Sequence, residues 1–128
     1  MSNLNEVEEA FATLVAQQAG ALLVSGDPTF LARRERLATL AAHHAVPALY
    51  LCREIVEAGG LMSYAMSIVE GYRTVGAYAA RILNGEKPAD LPVQQSSKSE
   101  LVINLKAAMA LGIEVPADIL VRADEVIE

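Results

Sequence analysis

The chain has 128 residues, 53% hydrophobic and 20% charged, with a formal net charge of −6. That length suits one core, the apolar content is too high for disorder, and no apolar run approaches the roughly 18 residues of a membrane helix. The acidic balance argues against nucleic acid and anionic lipid as partners, and a lone cysteine, Cys52, excludes an intramolecular disulfide or a thiolate metal cluster.

Leu4, Val7, Phe11, Leu14 and Val15 recur at helical spacing, Asn5 and Glu8 have the form of a capping box, and Gly20 offers a stop. The run Ala21-Leu22-Leu23-Val24-Ser25 has the pattern of a strand buried on both faces of a parallel sheet. Asp27 is placed as an N-cap and Pro28 at the first helical position after it. Phe30, Leu37, Leu40, Ala41 and His44 predict one helix that ends near Val46-Pro47, because the residue before a proline leaves the α region. Ala48 to Leu51 reads as a second strand, 53–60 as irregular, and Leu61 to Tyr64 as a third strand.

Ser67 to Glu70 again has the capping-box form, and Ile68, Tyr72, Val75, Ala79 and Ile82 carry an apolar stripe to Asn84-Gly85. Pro88 and Pro92 predict an extended, non-helical linker over 86–95. Leu101-Val102-Ile103 reads as a further strand, Asn104 as the cap of a helix through Leu111, and Pro116 as the opening of a short helix through Arg122. Strands alternating with helices predict an α/β fold with a parallel sheet sandwiched by helices.

Several stretches, taken in order, resemble the C-terminal half of the ABC-transporter substrate-binding protein family. They are Ala21-Leu22-Leu23-Val24 with Gly26-Asp27-Pro28, Arg33-Arg34-Glu35-Arg36, Val46-Pro47-Ala48-Leu49-Tyr50, Arg53-Glu54 with Glu57 to Tyr64, and Leu83 to Pro92. The ending from Leu101 to Lys106 with Arg122 to Ile127 completes the series. The resemblance implies a periplasmic-binding-protein fold of the first type, with two lobes closing on a small solute, an aromatic amino acid in some relatives, and presenting it to a membrane permease. On that plan 1–128 is a single α/β unit: 1–62 and 95–128 are second-lobe-like, and 63–94 holds crossing segments and a helix of the first lobe. The family is periplasmic; the opening residues, with neither a basic nor an apolar leader region, predict a cytoplasmic chain as written. The 21–25 strand would be a sheet edge and the 67–84 helix would lack its own sheet, so a homodimer is expected through the strand or through exchange of the helix.

In open α/β sheets ligands bind beyond the carboxyl ends of the strands. The candidate solute contacts are therefore Ser25, Asp27, Thr29, Arg53, Ser63 and Tyr64. Asp27 suits an ammonium or hydroxyl, Arg53 a carboxylate, and Tyr64 an apolar body. Each has a plainer reading: Asp27 as a helix cap, Arg53 paired with Glu54 or Glu57, Tyr64 as hinge packing. The adjacent His43 and His44 point in different directions and cannot readily share a metal, and Cys52 is read as a buried core residue. Gly59-Gly60 lacks the spacing of a dinucleotide fingerprint, so neither a cofactor nor a catalytic residue is expected. The function expected is reversible solute binding for ABC uptake, the alternative being a self-associating α/β protein with no transport role.

Overall fold

In the computed structural model, which describes residues 4–95 and 98–128, every apolar run read as a strand joins one five-stranded sheet. The elements in chain order are α1 (Leu4–Ala16), β1 (Leu22–Val24), α2 (Pro28–Ala32), α3 (Arg34–His43), β2 (Ala48–Tyr50), α4 (Arg53–Glu57), β3 (Met62–Met66) and α5 (Ile68–Leu83). There follow a 3-10 turn (Pro88–Asp90), β4 (Ser99–Asn104), α6 (Leu105–Ala110), α7 (Ala117–Arg122) and β5 (Glu125–Ile127). The chain divides into two compact units, residues 1–65 with 100–128, and residues 66–99.

In the larger unit the strands lie in the order β1-β2-β3-β4-β5. The pairs β1/β2, β2/β3 and β4/β5 are parallel, with Val24 opposite Tyr50 and Tyr50 opposite Ser63. The expected all-parallel sheet is interrupted once. Asn104, the last residue of β4, donates its N–H to the carbonyl of Leu61 just ahead of β3 (2.8 Å), so β4 runs against β3.

Alternation along the strands sorts the side chains. Val24, Ala48, Tyr50, Leu61, Ser63 and Val102 point to one face, where they are all nearly inaccessible. Val7 and Phe11 of α1, Leu37, Leu40 and Ala41 of α3, and Ile55 and Val56 of α4 complete that core. Burying each such large apolar side chain contributes about 1.5–3 kcal/mol. The opposite face is uneven: Ile103 of β4 is 0% exposed, whereas Leu23 of β1 is 64% exposed and Tyr64 of β3 is 55% exposed.

Several local expectations need correction. Asn5 lies inside α1 and is not its cap, and α1 ends at Ala16, where Gln18 rather than Gly20 takes the left-handed turn (φ 54°). The single helix expected from Phe30 to His44 is two, broken at Arg33 (φ −115°, ψ 22°), so that Phe30 and Leu31 of α2 and Leu37, Leu40 and Ala41 of α3 all reach the core. The stretch read as irregular contains α4; its five residues are too few to display a period, yet Ile55 and Val56 are 1% and 0% exposed. A 3-10 turn forms at Pro88 within the linker expected to be extended, because proline is tolerated where a helical turn begins. Strand β5 escaped the sequence reading altogether.

In the smaller unit Ser67 caps α5 by accepting a hydrogen bond from the Glu70 N–H (3.3 Å). The Tyr78 hydroxyl donates to the Pro92 carbonyl, and Arg81 pairs with Glu86 at 2.8 Å. No residue of α5 is buried.

Two predictions follow from the core. A Cβ at Gly60 would stand 2.6 Å from Tyr50 Cε2 and 2.9 Å from the Ile55 carbonyl oxygen. Gly60→Ala should therefore lower unfolding free energy in urea by about 1–3 kcal/mol, while Gly76→Ala, with nothing within 4 Å of the added carbon, should not. Burial pushes the Tyr50 hydroxyl up to about 12 and, with the hydrogen bond to Glu54, the Cys52 thiol up to about 11. Both groups hold their protons more tightly when folded than when unfolded. The stability they contribute is complete below about pH 9 and is lost as pH rises through the folded values. The melting temperature should fall between pH 9 and 11, and Cys52→Ala should flatten that part of the profile.

Candidate functional site

Parallel pairing of β1, β2 and β3 brings their carboxyl ends to one edge of the sheet, and the reversal of β4 brings the starts of β4 and β5 to the same edge. The loop after β1 closes against the loop after β2. Leu51 N–H donates to the Val24 carbonyl (3.2 Å), and the Gly26 position lies 3.5 Å from the Leu51 carbonyl oxygen, measured from where a Cβ would be.

Ser25 and Asp27 are exposed on this rim and Thr29 is half-buried beside them. Asp27 is the N-cap of α2: its Oδ1 accepts the Thr29 N–H at 2.7 Å. The hydrogen bonds from Thr29 hold the Asp27 carboxyl below its ordinary range, so it stays ionised well into acid.

Arg53 opens α4 one strand further along. Its Nε donates to Glu57 (3.0 Å), one terminal nitrogen to Glu100 at the start of β4 (3.2 Å), and the other to Glu125 at the start of β5 (2.5 Å). Those bonds, led by the ones to Glu57 and Glu125, raise the guanidinium's pKa further above its usual value. One arginine thus fastens β2, β4 and β5 together where the polypeptide leaves and returns to the larger unit. Three carboxylates around one cation leave two net negative charges, so a solute carboxylate reaching Arg53 has to displace a glutamate or use the two N–H donors that remain.

The other two candidates stand elsewhere. Ser63, 1% exposed, is in the core opposite Tyr50, and its hydroxyl has no hydrogen-bond partner among the described residues. Tyr64 projects from the other face of β3. The structure therefore brings Ser25, Asp27, Thr29 and Arg53 to one rim, sets Ser63 inside and turns Tyr64 away from Ser63. Glu100 and Glu125 were missed by sequence reasoning, since separations of 47 and 72 residues from Arg53 leave no linear signal.

Two cavities of about 270 Å³ lie in the larger unit. One is bounded by Ala38, Ala41, Tyr50, Gly60, Asn104 and Ala107, and the other by Val7, Phe11, Leu22, Ser25, Phe30 and Leu37. Cys52 is buried, donates to Glu54 Oε2 at 2.7 Å, and has its thiol pKa raised, the opposite of an activated nucleophile. His44 stacks on Phe11 with ring centroids 5.8 Å apart, and no cluster of metal-ligating side chains occurs among the described residues. Among those residues no helix is long and apolar enough to cross a membrane.

Comparison with solved structures places this geometry. A conserved domain protein from Vibrio cholerae O1 biovar El Tor superposes with a TM-score of 0.85 at 29% identity, over 95% of this chain and 41% of its own. The ABC domain from Streptococcus pneumoniae, solved in complex with L-Trp, gives 0.84 at 30% identity over 96% of this chain and 42% of its own. The ligand-free, open form of a substrate-binding protein with adhesive properties from Clostridium difficile gives 0.68 at 27% identity, over 99% and 42%. The chain thus spans about two fifths of the length of these relatives. Among curated proteins none matches. The family model described as ABC transporter substrate binding protein matches residues 1–127, and with the rim of strand ends in place the conclusion is plain: the chain belongs to the ABC transporter substrate-binding protein family, a family of solute binders and not an enzyme class.

Proposed function

We propose that this chain contributes one wall of a solute site in an ABC uptake system, binding an amino acid reversibly and without catalysis, and that the amino acid is aromatic. The observation that carries the reading is the likeness to the L-Trp complex, at 30% identity and a TM-score of 0.84. The exposed, ionised Asp27 on the strand-end rim supports it, since it suits an ammonium group. On this reading Ser25, Asp27 and Thr29 hold the ammonium side and Arg53 the carboxylate, exchanging one glutamate for it. Ser63 supports the β3 end from within, and Tyr64 meets apolar surface. An ABC permease receives the loaded protein on the outer side of the membrane. The residues 66–99 unit belongs with the first lobe and the rest with the second.

One observation favours a second property, self-association: large hydrophobic side chains stand exposed on both compact units. We propose a homodimer on that ground.

Thermal-shift and calorimetric titration with L-tryptophan, L-tyrosine and L-phenylalanine should show saturable binding to the chain. Asp27→Ala should weaken it by about tenfold or more, the worth of one charge-assisted hydrogen bond. A flat response to all three amino acids and to a broad solute panel would sink the uptake reading. Cys52 provides a separate check on the absence of catalysis. Its alkylation by iodoacetamide at pH 8 should run at least about 100-fold slower than in the urea-unfolded chain, as a thiol raised by two pH units requires. Equal rates in the two states would restore Cys52 as a nucleophile.

A further inference from the structure

The cavity between α3, α6 and the start of β3 lies at the end of the sheet away from the strand-end rim. Asn104, which borders it, closes β4 beside Leu61, just ahead of β3. The cavity has its origin inside the larger unit, to which all of its lining residues belong. Helix α4, on the connection from β2 to β3, has only five residues, about 7.5 Å of length. Ala58, Gly59 and Gly60 complete that connection, and the two glycines put no side chain into the space between α3 and α6. The other walls are short as well: Ala38 and Ala41 from α3, Ala48 from β2 and Ala107 from α6. The volume, about 270 Å³, is nearly twice the roughly 150 Å³ that admits benzene in an apolar protein cavity.

A polar group without a partner points into this space. Tyr50 is 0% exposed, and its hydroxyl has no hydrogen-bond partner among the described residues. Tyr50 ends β2 opposite Ser63, yet its ring leans back towards Gly60, where a Cβ would stand 3.1 Å from Cδ2 and 2.6 Å from Cε2. The ring thus carries its hydroxyl away from the rim and towards the cavity that both residues border. A buried hydroxyl left unpaired is costly, so this one needs a partner from outside the chain. Burial raises its pKa, and at neutral pH it is a donor.

Two more donors border the same cavity. Asn104 spends one Nδ2 N–H on the Val56 carbonyl and carries a second. Lys106, exposed, is the one charged residue of the lining, and no carboxylate borders the cavity although the chain carries a net charge of −6. A cation and N–H and O–H donors without a carboxylate select an anionic head, and walls of alanine and glycine accept an apolar body.

We propose that this cavity is a second binding site, for a small monocarboxylic acid with an apolar body, whose acid group meets Tyr50, Asn104 and Lys106 and whose body lies against the alanines. It is separate from the rim that holds the amino acid on the reading above, and its ligand needs no ammonium group.

Hexanoate and octanoate should bind the 128-residue chain saturably, with a Kd of about 1 mM or tighter, and 1-hexanol about tenfold more weakly than hexanoate. In amide NMR spectra the two acids should shift Gly59, Gly60 and Ala107 and leave Ser25, Asp27 and Thr29 in place. Tyr50→Phe removes only the orphan hydroxyl, so it should weaken hexanoate by about tenfold without lowering the melting temperature; Lys106→Gln should weaken it similarly. Ala107→Leu, which fills the space, should abolish binding, and Asp27→Ala should not change it. No shift at Gly59, Gly60 and Ala107 up to about 10 mM acid would overturn the site and leave Tyr50 to water. Equal affinity for 1-hexanol would overturn the acid class. Shifts at Ser25 and Asp27 instead, with binding retained in Ala107→Leu, would move the acid to the rim and overturn this cavity. The amino-acid titration is read separately, so either reading can fail while the other stands.

Discussion

A single buried amide, Asn104, holds together the point at which the sheet changes direction. Its backbone N–H reaches the Leu61 carbonyl, its Nδ2 donates to the Val56 carbonyl at 3.3 Å, and its Oδ1 accepts the Ala107 N–H at 3.1 Å. The end of α4, the start of β3, the end of β4 and the start of α6 therefore meet at one residue that is 6% exposed. A buried amide is costly unless satisfied, and the same low polarity that makes it costly strengthens each bond it makes. Arg53 does the corresponding work at the opposite edge, linking the end of β2 to the starts of β4 and β5. The segment at 66–99 is thus inserted into a sheet pinned on both sides of the insertion.

The face of the sheet away from Tyr50 is covered unevenly. Ile103 of β4 is inaccessible, whereas Leu23 of β1 is 64% exposed and Tyr64 of β3 is 55% exposed. On the Tyr50 side, Ala107 of α6 borders the same cavity as Ala38 and Ala41 of α3, so the helix that Asn104 caps reaches the core built on β2. Strand β1 is the edge of the sheet among the described residues, where one row of backbone groups has no strand to pair with.

Features set within four or five residues were legible in the sequence. The Asp27 and Ser67 caps, the cap at Asn104, and the runs that became β1, β2 and β3 depend on local hydrogen bonding or on uninterrupted apolar character. Features settled by tertiary contact were not. The break at Arg33 exists because α2 and α3 each find the core in a different direction, and α4 holds its shape through the burial of Ile55 and Val56, not through any period of its own. The direction of β4 depends on pairing across some 43 residues, as in the bond from Asn104 to Leu61, and β5 is three residues paired with β4. The family resemblance was legible because it rests on many short stretches in order, which survive such local errors.

The same distinction ranks the candidate site residues. Asp27 accepts from Thr29, two residues away, which uses one of its oxygens and keeps it charged. A carboxylate has about four lone-pair positions, so it retains capacity for a donor from outside. Arg53 is the reverse case: three of its five N–H donors are committed to glutamates brought from β4, β5 and its own helix. Neutralising Glu100 or Glu125 would make the rim more receptive to an anion while loosening the strand it anchors. Anion affinity and the seating of β4 and β5 are therefore opposed at a single guanidinium, whereas a cationic group at Asp27 meets no such competition.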